Sequence, residues 1–382
     1  MTTSDYQESG VPFIRGVNLA RGVFVDSDFV FISDEKADEI ESAVVASGDL
    51  IFTRKGTVGQ VSMIPREPLY DRYVISGSQV KARVDESKAV PEFLYYWFVS
   101  PAGRRSILEH AVTTGVPSLA NSLASIRGLM VPCPPLAEQR SVAAFLGALD
   151  DKIAVNERIA TTARGLGMAL FVQAIQGDGA VDVEVDSVVN ALMRGVAPKY
   201  SDAPDELIVL NQKCIRDGRV NLSPARRTLG EKVKPPKLLN RNDVLVNSTG
   251  VGTLGRVARW TSDSKATVDS HVTIVRFDAQ QVDPVCAGFA MLRAQPDIEA
   301  MGEGSTGQTE LRRAQVGGLE ITLPSTSRQR ELRVKLDSLE DRADQALIES
   351  VALAALRDTL LPQLMSGRLR VKDAEKIVED HA

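Results

Sequence analysis

Residues 134–159 read PPLAEQRSVAAFLGALDDKIAVNERI, and from Val142 onward apolar or small residues recur at alternating steps of four and three. The positions are Val142, Leu146, Leu149, Ile153, Asn156, Ala160, Ala163, Gly167 and Leu170. This spacing holds one side of an α-helix apolar, as the seam of a coiled coil does, and its small residues allow close approach. A single such stripe describes any core-facing helix. Here it returns 190 residues on, at Leu332, Leu336, Leu339, Ala343, Ala346, Ser350, Leu353, Arg357 and Leu360. Pro134-Pro135 mark the first start, and Thr326-x-x-Gln329 reads as a capping box at the second. Each helix is expected to run for about 40 residues, or about 60 Å. Two matching seams on one chain are buried most economically against each other. The expected result is an antiparallel pair, a rod with one globular domain at each end and pseudo-twofold symmetry. Pro362 should end or kink the second helix, and the tail AEKIVEDHA should fray.

The repeat extends beyond the helices. GDLIFTRKGTVGQVSMIP, from Gly48, matches NDVLVNSTGVGTLGRVARW, from Asn242, once two residues are inserted in the second copy. Asp49 then pairs with Asp243, and Gly59 with Gly255. YVISGSQVKARV from Tyr73 resembles ATVDSHVTIVRF from Ala266, and Pro91 with PEFLYYWFV meets Pro284 with PVCAGFAML. TTGVPSLANSLASIRGLMVPCP parallels STGQTELRRAQVGGLEITLP. Only the second copy has the lead-in VEVDSVVNALMRGVAPKYSD, from Val183, so the first domain is expected to lack its opening strand.

Gly250, Gly252 and Gly255 spell G-x-G-x-x-G, a dinucleotide fingerprint when a strand precedes it and a helix follows. After Gly255 the chain alternates apolar and polar through Arg256–Trp260 and reaches the turn residues Thr261–Ser264, which predicts a strand. The first copy keeps Gly56 and Gly59 at this place and has no third glycine. The match therefore reads as a lengthened strand connection rather than a cofactor loop.

Composition excludes several classes. With 43% hydrophobic and 25% charged residues, the 382-residue chain has an ordinary globular balance and room for two or three domains. It shows no 20-residue apolar run and no secretory signal pattern, which suggests a cytoplasmic protein. Cys133, Cys214 and Cys286 form no C-x-x-C, and His110, His271 and His381 show no metal-ligand spacing, so neither a disulfide framework nor a metal site is expected. Asp34–Lys36 reads as acidic surface. A net charge of −5 argues against a generally basic polyanion binder but permits a local basic face. No amino-methyltransferase tetrapeptide of the N-P-P-[FY] or D-P-P-Y kind and no F-x-G-x-G loop is present, so no catalytic role is expected.

PPLAEQRSVAAFLGALDDKIAVNERI, GVPFIRGVNL, GDLIFTRKGTVGQV and LLPQLMSGRL together resemble hallmarks of the specificity (S) subunits of type I restriction-modification enzymes, over nearly the whole chain. The resemblance implies an α+β fold with two pseudo-repeated target recognition domains, separated by a pair of long helices forming an antiparallel coiled coil. The boundaries it suggests are 1–135 for recognition domain 1, 136–177 for the first helix, 178–324 for recognition domain 2, and 325–382 for the second helix and tail. It implies that each domain reads half of a bipartite DNA target and that the helices set the spacer. It also implies docking by two methyltransferase subunits, which would hold S-adenosylmethionine, and by motor-nuclease subunits. No cofactor is expected in this chain.

Base readout needs paired donors and acceptors, and affinity comes from cations near phosphates. The candidates in the first copy are Arg15, Thr53, Arg54, Lys55, Thr57, Ser78 and Gln79. In the second they are Asn247, Ser248, Thr249, Ser270, His271 and the loop Thr309–Arg313, with Arg312 and Arg313 its cations. Phe93, Tyr96 and Trp97 of PEFLYYWF are expected in the core rather than as a stacking platform. The competing reading is a coiled-coil adaptor that joins proteins and leaves DNA alone.

Overall fold

A computed structural model describes residues 5–112, 114–302 and 310–380, without the side chains of Ala20 and Arg21. Thr113, residues 305–309 of the second repeat phrase, and His381 lie outside the described residues. The chain divides into two units, one of residues 1–154 with 349–382 and the other of residues 155–348. Each unit contains part of both long helices.

In the first unit the sheets of three or more strands are built from β1 (Val11–Ile14), β2 (Val30–Ile32), β3 (Val44–Val45), β4 (Leu50–Thr53), β5 (Val61–Met63), β6 (Tyr73–Ile75) and β7 (Gln79–Ala82). They form one sheet in the order β2-β1-β6-β3 and a second in the order β5-β4-β7. The second unit holds β8 (Val181–Glu184), β9 (Val189–Arg194), β10 (Tyr200–Ser201), β11 (Leu207–Leu210), β12 (Arg226–Thr228), β13 (Val244–Asn247), β14 (Val257–Arg259), β15 (Ala266–Val268), β16 (Val272–Phe277) and β17 (Glu320–Leu323). Its four-stranded sheets are β10-β12-β11-β15 and β9-β16-β13-β14.

The two units share their register. β1 runs antiparallel to β2 and parallel to β6, pairing Phe13 with Val74, while β11 runs antiparallel to β12 and parallel to β15, pairing Ile208 with Ala266. β4 lies between β5 and β7, as β13 lies between β14 and β16. They differ at their edges: β3 flanks β6 only in the first unit, β10 flanks β12 only in the second, and β9 flanks β16, whereas among the described residues β7 has no neighbour but β4.

Asp49 and Asp243, matched in the repeat, are 1% and 2% exposed and anchor the same turn in both copies. Asp49 Oδ2 accepts Ala46 N at 3.0 Å, and its carboxylate takes Arg83 Nε at 2.8 Å and Nη2 at 2.6 Å. Asp243 Oδ2 accepts Asn240 N at 2.8 Å, with Arg276 Nε at 2.8 Å and Nη2 at 2.6 Å. A bidentate guanidinium on a buried carboxylate offsets the desolvation of that charge.

Helix α1 (Pro91–Val99) follows β7, and α3 (Pro284–Arg293) follows β16. Phe93 and Tyr96 are buried and Trp97 partly so, which places these aromatics in the core. The long helices α2 (Leu136–Ile175) and α4 (Thr326–Met365) pack together antiparallel. Along α2 from Asp150 to Arg164, the ion-pair partner falls from Arg357 to Asp344, and Lys152 meets Glu349 between them. Leu146, Leu149, Leu332, Leu336 and Leu360 are buried, while Ile153, Leu170, Leu339 and Leu353 are partly buried. Ala160, Ala163 and Ala343 form the close contact in the second unit. Each helix is also tied to its own domain by charge. Tyr96 Oη donates to Asp150 at 2.7 Å in the first unit, and the buried Arg259 pairs with Asp337 at 3.4 Å and Glu340 at 3.7 Å in the second.

Three expectations are corrected. Gln329 closes no capping box, because its side-chain oxygen is taken by the start of another helix: Oε1 accepts Asp283 N at 2.8 Å, while Nε2 donates to Pro324 O at 2.8 Å. Gln139 repeats this clasp, accepting Val90 N at 2.8 Å and donating to Pro134 O at 2.8 Å. The second helix continues past Pro362 to Met365, whose turn is closed by the bond from Ser366 N to Pro362 O. The tail is folded through Glu379. Val371–Glu379 form helix α5, which buries Ala374 and packs Ile377 and Val378 against the cluster of Phe93, Tyr96 and Leu364.

The paired glutamines generate a prediction. Gln139→Ala and Gln329→Ala each strand a backbone donor and a carbonyl, so each should cost about 1–3 kcal/mol. Chemical denaturation of each variant checks this, and the two costs should be similar.

Candidate nucleic-acid interface

Three loops converge in each unit through the same backbone bonds. In the first, Arg54 N donates to Ser78 O at 2.8 Å and Leu119 N to Arg54 O at 2.9 Å, joining the β4–β5, β6–β7 and 117–119 segments. In the second, Ser248 N donates to His271 O at 2.9 Å and Leu311 N to Ser248 O at 2.9 Å. The candidates thus gather into one cluster per unit, except for Arg15, at the end of β1. Its Nη2 donates to Asp28 O at 3.0 Å.

The clusters differ in chemistry. In the first, Lys55 and Thr57 are exposed and Arg54 is half-buried, its Nε donating to Gly77 O at 2.7 Å. Ser78 Oγ meets Ser76 Oγ at 2.7 Å. Gln79, 5% exposed, accepts Ser76 N through Oε1, and its buried Nε2 has no partner among the described residues. Thr53 is buried.

In the second cluster Asn247 and Ser248 are fully buried. Asn247 Nδ2 donates to Gln212 O at 3.0 Å and Thr253 O at 3.1 Å, and Ser248 Oγ meets Thr273 Oγ1 at 2.6 Å. In this conformation both side chains build the loop and offer nothing to a groove. Ser270 and His271 are exposed and Thr249 is half-buried, with Thr249 Oγ1 at 2.8 Å from His271 Nδ1. Gln212, absent from the sequence candidates, donates its Nε2 to the same Thr249 oxygen at 2.7 Å. Its signal was available, since the β11–β12 connection that carries it parallels the RGVNL loop of the first copy. Asp269, beside this group, has its carboxyl pushed up by burial, against the pull of the His271 N–H.

Arg312 and Arg313 are exposed, and Thr309 of the same loop lies outside the described residues. They line an open cleft of about 420 Å³ with Arg194, Glu310 and Ala314. Arg194 and Lys237 were not singled out in the sequence, because β9 and the segment after β12 are remote from the loop along the chain.

The glycine fingerprint sits at this interface. β14 follows Gly255 and pairs antiparallel with β13, so the glycines lead into a strand and not into the helix that the fingerprint requires. The three glycines adopt φ of 109°, 71° and 78°. They are not equivalent: a Cβ on Gly255 would lie 2.6 Å from the Glu299 Cα, whereas one on Gly252 meets nothing within 4 Å.

Two repeated α+β domains, each leading into one of a pair of antiparallel helices, define a tandem module whose exposed polar loops sit on rigid sheets. Residues 2–163 match the family model of the type I restriction modification DNA specificity domain. The chain is 20% identical to the putative type I restriction enzyme MjaX specificity subunit of Methanocaldococcus jannaschii, over 95% of this chain and 88% of that protein. It is similar in fold to the type I restriction-modification S subunit of M. genitalium, with a TM-score of 0.63, 14% identity, and coverage of 95% of this chain and 91% of that one. The likeness to type I restriction-modification specificity subunits thus extends over nearly the whole chain. Among the described residues no helix is long and apolar enough to cross a membrane.

Gly252→Ala should cost about 1–2 kcal/mol, the penalty of a left-handed conformation alone. Gly255→Ala adds a backbone collision and should lower stability by at least twice as much in thermal or urea unfolding.

Proposed function

We propose that the chain is the non-catalytic DNA-reading subunit of a cytoplasmic type I complex, each unit contacting one half of a bipartite target. The observation that carries this reading is the recurrence of one loop convergence on two copies of one scaffold, with different side chains displayed. The backbone bonds of Arg54 with Ser78 and Leu119 recur at Ser248 with His271 and Leu311, while the displayed groups change from half-buried Arg54 and exposed Lys55 and Thr57 to half-buried Thr249 and exposed His271, Arg312 and Arg313. Constant support under variable contact groups is what two different half-sites require. Target recognition domains would then occupy 1–135 and 178–324, and helices 136–177 and 325–382 would set the spacer and carry two methyltransferase subunits. Those subunits would bring S-adenosylmethionine, and motor-nuclease subunits would complete the restriction complex.

Within the first unit Arg54 and Lys55 act on phosphate rather than on bases. Mobility-shift titrations of the chain with its methyltransferase partner test this. Alanine at both positions should weaken binding to every duplex and reduce the salt slope by roughly 1 for each phosphate left without its cation. An unchanged slope contradicts the role of Arg54 and Lys55, and no duplex binding by the wild-type complex favours the adaptor reading.

A further inference from the structure

The cleft beside β9 gathers more positive charge than any candidate cluster of the first unit, on a chain whose net charge is −5. Arg194 leaves β9 with its side chain 20% exposed, and Lys237 Nζ donates to the Arg194 carbonyl. Arg312 and Arg313 stand exposed on the other side. Burial holds the Arg194 and Lys237 pKa values down, and Arg313 presses both further in the same direction. Such a group of cations favours an anion among them.

That place has an occupant from the chain itself. Arg194 Nη2 donates to Glu310 Oε1 at 2.8 Å and to Leu311 O at 2.7 Å, while its buried Nη1 has no hydrogen-bond partner among the described residues. The Glu310 side chain is 64% exposed. An ion pair with one member so exposed contributes little and exchanges readily. The Leu311 carbonyl would still orient the guanidinium if the carboxylate left. The cleft is also joined to the loop cluster, because Leu311 N donates to Ser248 O. In the first unit the corresponding donor is Leu119, which is followed by Ala120 and Asn121 where the second unit has Arg312 and Arg313.

We propose that this cleft seats one backbone phosphate of the DNA duplex, and that Glu310 occupies Arg194 as an internal substitute for that phosphate until the duplex displaces it. The proposal rests on the DNA-reading role above and adds a means of discrimination. A duplex that docks fully repays the displacement of Glu310 through its other contacts. A duplex held only by charge does not, so the carboxylate selects against non-specific DNA.

The assembled chain with its methyltransferase partner is titrated with a duplex containing the recognised motif and with a random duplex, across salt. Arg313→Ala should weaken both about tenfold and lower the salt slope by about 1. Glu310→Gln should tighten the random duplex severalfold and the recognised one less, so that discrimination falls. Both side chains are exposed, and an unchanged unfolding midpoint confirms that the variants are folded. Glu310→Gln binding like the wild type, or more weakly, overturns the proposal. Competition by inorganic phosphate at submillimolar concentration overturns the assignment to the DNA backbone, because it marks a free-anion site. A wild-type complex that binds neither duplex refutes the DNA-reading role itself, and this proposal with it.

Discussion

A 40-residue helix that carries one apolar stripe cannot stand alone in water without leaving that stripe exposed, and this chain contains two. Each removes the other's stripe from solvent, which is why α2 and α4 run antiparallel with Leu146 and Leu360 buried in the first unit and Ala163 and Ala343 in contact in the second. Polar residues on the stripe restrict how the helices meet. Asn156 and Ser350 are buried in it, and Asp150 and Glu340, 190 residues apart, carry the charges that meet each domain. A polar residue in such a seam fixes register at some cost in stability.

The pairing would set nothing beyond the helices if the domains hung loosely from them. Gln139 and Gln329 prevent that: each binds the backbone N–H that precedes a domain helix while it also holds the proline carbonyl before its own helix. The strand turns behind the display loops are fixed in the same duplicated manner by Asp49 with Arg83 and Asp243 with Arg276. Rigid parts therefore repeat and contact groups vary. Such a division lets one architecture accept many recognition sequences.

Much of this was legible in the residues. The 4-3 spacing located the long helices, and the Asp49–Asp243 match located the β4 and β13 turns. The G-x-G-x-x-G match yielded to the strand pattern after Gly255. What was not legible depended on contacts remote in sequence. Asn247 and Ser248 looked like contact groups because both are polar and lie in a loop, but their partners Gln212, Thr253 and Thr273 draw them inward. Gln329 looked like a cap because its spacing fits one, and only the position of Asp283 shows where it reaches. The tail looked frayed because it is short and charged. Its apolar residues fall on one helical face, and the Phe93 cluster provides the surface that orders it.

The central claim is that two different displays on one repeated scaffold read two separate halves of a DNA target. Genome-wide mapping of methylated bases in the host, with and without this gene, tests it most directly. The account predicts that deletion abolishes methylation at one motif made of two defined halves with a fixed unspecified spacer between them. It predicts as well that exchanging the second unit's display loops changes only one half. Unaltered methylation, or the loss of a single uninterrupted motif, would contradict it.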